Sequence, residues 1–154
     1  MRKAGWGHVD SLQAFSDALA ELERILTAMA ETSKRTDETW KKEFIDMRRQ
    51  LQLQLTAVAS AADECAQIKS NPEAAARLRE GWTKMRSALA LHQANWPAVR
   101  IDREDRGYLD SVSKTRATNW AFVELARQII ADTRKAQTPN TKASAWLDPA
   151  TIRL

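Results

Sequence analysis

Residues 70–97 read SNPEAAARLREGWTKMRSALALHQANWP. Asn71 is a residue type that caps helix starts, and Pro72 suits the first helical position because its missing N–H has no partner there anyway. From that start, Ala75, Leu78, Trp82, Met85, Leu89, His92 and Trp96 recur at alternating steps of three and four. This spacing places them along one side of a helix. Pro97 ends it, since proline disfavours helical geometry at the preceding residue. Gly81 falls in the middle, where it either weakens the helix or admits a close neighbour.

Working outward from this segment, the same periodicity appears on both sides. Upstream, Leu12, Phe15, Leu19, Leu22, Leu26 and Met29 form the stripe of a first helix, expected from about Asp10 to Glu31 with Asp10 or Ser11 as its cap. A polar connection follows, and a second helix is expected from about Asp37 to Lys69. Its stripe is Trp40, Phe44, Met47, Leu51, Leu55, Val58, Ala62, Cys65 and Ile68, with a bend near Ser60. Downstream, Ala98 to Ile101 reads as an extended crossover. A fourth helix is expected to start between Asp102 and Asp110 and to end near Ala136. Leu109, Val112, Trp120, Val123, Ala126, Ile130 and Thr133 are on its stripe, and Phe122, Leu125 and Ile129 lie beside it. Arg116 interrupts that stripe, its head reaching the edge.

The spacing therefore predicts an all-α fold: an antiparallel four-helix bundle with long second and fourth helices and a short irregular C-terminal tail. Residues 1–136 make a single helical-bundle domain and 137–154 the tail. Totals agree with this. The chain has 154 residues, the length of one domain, and only 4 glycines and 4 prolines, too few for an all-β fold rich in tight turns. With 1 cysteine, Cys65, no internal disulfide forms. No apolar run approaches the roughly 20 residues that span a bilayer, and Met1-Arg2-Lys3 is not followed by the apolar core of a signal peptide. A cytoplasmic location is expected, without a membrane role.

Chemistry-bearing patterns are sparse. The histidines, His8 and His92, follow Gly5 and Leu89 by three residues, so the Glu-x-x-His pairs of a bundle di-iron site are missing. Cys65 and two distant histidines give no zinc spacing. Gly5-x-Gly7 lacks the third glycine of a dinucleotide fingerprint, and no nucleophile has a base placed beside it in sequence. The reading is a non-enzymatic protein without catalytic residues, metal ligands or cofactor. Acid-first pairs such as Asp37/Lys41, Glu73/Arg77 and Asp110/Lys114 describe solvated helix faces.

Two features retain a functional signal. The chain has 6 tryptophans. Trp82, Trp96 and Trp120 fall on stripes and Trp40 begins one. Trp6 and Trp146, the latter beside Leu147, lie outside the helices and are the expected partner-binding residues, because tryptophan anchors interfaces by its large rigid area. The net charge is +4. Lys34, Arg35, Lys41, Lys42, Arg48 and Arg49 surround the first connection, and Arg100, Arg103 and Arg106 line the crossover. These nine are the candidate phosphate-backbone contacts should the two clusters meet in space. The expected function is an interaction protein, such as an adaptor, chaperone or small assembly subunit, binding a protein partner or forming a homodimer. The alternative is a nucleic-acid-associated subunit of a nucleoprotein complex.

Overall fold

The computed structural model describes residues 10–137. Among these residues there is no strand, and five α-helices follow in order: α1 Ser11–Thr32, α2 Trp40–Asp63, α3 Ala66–Lys69, α4 Pro72–Asn95 and α5 Arg106–Gln137, with a 3-10 turn at Ala98–Arg100. None of them is long and apolar enough to cross a membrane.

Helix starts follow the local chemistry of their caps. The Asp10 carboxylate accepts from the Leu12 amide, and the Asn71 side chain accepts from the Ala74 amide with Pro72 in place behind it. Asp105 does the same for α5, accepting from the Tyr108 amide at 3.2 Å. Each bond satisfies one of the amides that a helix start leaves unpaired.

The second helix is shorter than its periodicity suggests. The expected single element from Asp37 to Lys69 begins at Trp40 and stops at Asp63, which makes α2 as long as α4 at 24 residues each. The break lies at Glu64–Cys65, beyond Ser60, with Cys65 in extended backbone. The redirected α3 buries both Cys65 and Ile68 and brings Gln67 to the start of α1. There its amide accepts from the Ser11 hydroxyl at 2.9 Å and donates to Asp10. An unbroken helix would carry Gln67 away from these partners. The second helix is thus not long as expected, whereas α5, with 32 residues, is.

α1 packs on α2, α4 on α5, and α1 on α5, while α3 touches α1, α2 and α4. Along the α1–α2 contact, the Ala18 carbonyl meets Gln54 and Thr32 meets Met47, while Ser11 meets Gln67 of α3. Gln52 links α2 to α4 by bonding both Gln93 and Arg86. Gly81 lets α5 approach α4 closely: a Cβ there would lie 2.5 Å from the end of Leu125.

The apolar interior has two parts. The larger contains Leu12, Phe15, Leu19 and Leu22 of α1 with Leu51, Leu55, Met85, Leu89, Ala126 and Ile129. The smaller, Phe44, Ile101 and Tyr108, sits under the crossover with Trp40, Trp96 and Val112 against it. The sequence stripe of the last helix is displaced at its start. Leu109 is 48% exposed and Tyr108 is buried instead.

Candidate functional site

Two regions near the crossover end gather polar and aromatic side chains. The first is the surface where the crossover meets the α1–α2 connection. Arg103 donates to the carbonyls of Ser33 and Arg35, both at 2.6 Å, and its guanidinium lies 3.7 Å from the centre of the Trp40 ring. The two basic clusters therefore do meet. Four of these nine charges are engaged. Arg35 forms ion pairs with Asp37 at 2.6 Å and Glu43 at 2.8 Å. Hydrogen bonding to Arg35 holds the carboxyls of Asp37 and Glu43 below the usual range. Arg103 serves the backbone. Lys34 pairs with Glu31. Arg100 lies over the Trp96 ring, 5.2 Å from its centre. Lys42, Arg49, Arg100 and Arg106 are exposed, Lys41 is half-buried, and Arg48 is turned inward away from this surface.

The same corner carries apolar surface. Val99 is 89% exposed on the 3-10 turn, and Leu109 stands one residue from Tyr108, whose ring meets Trp96 edge-on at 5.5 Å. Trp40 and Trp96 are half-buried. Trp6, Trp146 and Leu147, the partner-binding residues expected from sequence, lie outside the described residues.

The second region is a half-open pocket of about 70 Å³ bounded by α1, α2, α4 and α5, with the exposed Arg116 in its lining. Arg48, His92, Gln93, Thr115, Arg116 and Asn119 contribute its polar lining, and no aspartate or glutamate lines it. Asn119 is 7% exposed, and its Oδ1 has no hydrogen-bond partner; Arg48 Nη2 is likewise buried and unpaired. Burial lowers the affinity of the Arg48 guanidinium for its proton, partly offset by Tyr108. Burial, with a contribution from Arg48, pushes the His92 imidazole down to about 4. The Tyr108 hydroxyl is pushed up by burial, against the pull of Arg48, Arg103 and Arg116.

His92 Nδ1 and Ser111 Oγ share a hydrogen bond of 2.6 Å, a pairing that sequence separation conceals. The distance is that of a nucleophile and its base. The chemistry is not: an imidazole titrating near 4 is a weak acceptor for a serine proton. Among the described residues no group of three histidine, cysteine or acidic side chains is placed to hold a metal ion.

The sequence reading placed His92 on the stripe of its helix but missed Arg48 and Asn119 as buried polar residues, because it followed apolar residues. Stepping by four and three from Phe44 reaches Arg48, Leu51, Leu55 and Val58, so Arg48 occupies the buried stripe of α2. Stepping similarly from Tyr108 reaches Val112, Thr115, Asn119 and Phe122. Spacing alone would have found both residues. Comparison with protein-family models, with curated proteins and with solved structures finds no match.

Proposed function

We propose that this chain is a non-enzymatic interaction protein, an antiparallel four-helix bundle whose crossover corner binds a protein partner. The pairing of Ala18 with Gln54 and of Thr32 with Met47 supports opposite directions for α1 and α2. The observation that carries the functional reading is the exposure of Val99 beside half-buried Trp40 and Trp96 and the stacked arginines Arg100 and Arg103. Tryptophan and arginine dominate interface energetics, and an apolar residue among them is a contact point. A photo-crosslinking residue at position 99 tests this in cells. One discrete adduct at position 99 and none at exposed Thr83 supports the reading. Equal labelling at both positions, or none at 99, overturns it. An adduct of twice the chain's mass identifies a second copy as the partner.

Contact between the two basic clusters favours a second reading, the nucleic-acid-associated subunit. Lys42, Arg49, Arg100 and Arg106 would contact phosphates. Anisotropy of labelled single- and double-stranded nucleic acid tests it. Micromolar binding that weakens steeply with salt supports it. The absence of binding at low salt removes it.

A further inference from the structure

We propose that the groove between α2 and α4 is a docking site for this chain's own C-terminal segment, taking the Trp146 ring with Asp148 at its basic rim. The groove follows from how the helices pair. α1 packs closely on α2 and α4 on α5, but α2 and α4 lack such an approach. Gln52 bridges them at one level, by bonding Gln93 and Arg86. From there toward α3, a half-open groove of about 300 Å³ lies between them. Its α2 wall is made of small residues, Ala59 and Ala62, while Leu78 and Trp82 line it from α4 and Phe122 from α5. Trp82 meets Phe122 edge-on at 5.5 Å yet is only half-buried, so part of its surface is left for a guest.

Size, reach and charge select the occupant. A cavity of roughly 150 Å³ holds benzene, so this groove has room for the fused rings of an indole, and Trp82 offers it an aromatic pair. α5 ends at Gln137, which lines a cleft together with Ser70, Asn71 and Glu73, the residues that lead from α3 into α4. Lys69 and Ala75, on either side of these residues in sequence, line the groove. The passage from Gln137 to the groove therefore rounds the start of one helix, a body about 10–12 Å across. Trp146 follows Gln137 by nine residues, a reach of roughly 30 Å. Lys69 and Arg79 stand exposed at the groove against one acid, Asp63. Neither has an ion-pair partner among the described residues. Asp148 lies two residues beyond Trp146 and supplies one. The other candidate ring, Trp6, is accompanied by Arg2 and Lys3, which this rim repels. Docking gives Trp146 a role within the chain and leaves the crossover corner free, so its failure would leave the partner reading intact.

The test is timed thiol labelling of the full chain carrying Ala59→Cys in the groove wall. The native Cys65 has no exposed surface, so the introduced thiol is the one that reports. Adding Trp146→Ala is expected to speed its labelling roughly tenfold, the loss of about 1.4 kcal/mol of docking. The same addition leaves the rate unchanged at Thr83→Cys, an exposed position outside the groove. Asp148→Lys speeds labelling at Ala59→Cys severalfold, and combining it with Lys69→Glu and Arg79→Glu slows it again. Ala62→Cys serves in the same way should Ala59→Cys disturb the fold. Equal rates with and without Trp146 overturn the proposal. Protection that grows with protein concentration overturns it in favour of a second copy, and protection relieved by Trp6→Ala in place of Trp146→Ala overturns it in favour of the N-terminal segment.

Discussion

Arg48 occupies a position that its helix otherwise fills with Phe44, Leu51, Leu55 and Val58, and replacing it by methionine should stabilise the fold. The methionine side chain follows the arginine stem and keeps its packing against the cavity wall. What is removed is a charged head whose Nη2 is sealed from solvent with no partner. Leaving a buried donor unsatisfied costs about 1–3 kcal/mol, more for a charged group. Part of the guanidinium is still hydrated, since the residue as a whole is only half-buried. The net gain expected for Arg48→Met is therefore about 1–2 kcal/mol, toward the lower part of that range. For a chain of 154 residues that raises Tm by roughly 2–8 °C. Thermal unfolding, checked by urea titration with an unchanged slope, measures it. A variant less stable than the parent by more than about 1 kcal/mol would refute the reasoning, because it would mean that Arg48 contributes favourable interactions exceeding its desolvation.

Other substitutions probe the rest of the structure. Leu19→Ala, at a side chain with no exposed surface, should cost about 2–5 kcal/mol, whereas Leu53→Ala, at 69% exposure, should change stability by less than about 0.5 kcal/mol in the same denaturation assay. Arg103→Met should cost about 2–3 kcal/mol, from its charge-assisted bonds to the Ser33 and Arg35 carbonyls and its stacking on Trp40, and amide exchange should quicken through residues 33–35. Arg103→Lys should not restore it, because one ammonium cannot both stack on the ring and reach both carbonyls in that geometry. His92 titrates near 4 in the fold and near 6.5 unfolded, so the unfolded chain binds more protons between these values. Its contribution to stability is full above about pH 6.5 and is lost as pH falls toward 4. The lowered carboxyls of Asp37 and Glu43 act in the same direction at lower pH. The comparison that isolates the histidine is Tm of the parent against His92→Gln, whose amide can still bond Ser111; the parent should lose more than the variant between pH 6.5 and 4.

The helices were legible where one property set them. In α1 every stripe residue from Leu12 to Leu26 is buried as its spacing indicates, because nothing competes with apolar burial there. Asn71 and Pro72 fixed the start of α4 through cap chemistry that is local in sequence. Prediction failed where the deciding contact is long-range. Cys65 continues the α2 stripe, yet the helix stops before it so that Gln67 can reach Asp10 and Ser11, more than fifty residues earlier. Leu109 lost its buried place to Tyr108, which His92 of α4 and Trp96 just beyond it hold by ring contacts. The basic clusters were visible, but not the engagement of Arg35 by Asp37 and Glu43 or of Arg103 by backbone carbonyls.

The polar layer explains why the interior is divided in two. Arg48, His92 and Asn119 occupy stripe positions on three different helices and share one cavity. Apolar side chains at all three would join the Phe44–Tyr108 cluster to the main core and bury more area at less cost. A sequence selected for stability alone would make that exchange. Retaining three polar groups, two of them with unpaired atoms, argues for a use of the layer. One use that the structure carries is fixing helix register, which a single buried polar residue achieves when its partners are satisfied. His92 meets that condition through its 2.6 Å bond to Ser111, which ties α4 to α5, whereas Arg48 Nη2 and Asn119 Oδ1 lack partners within the fold.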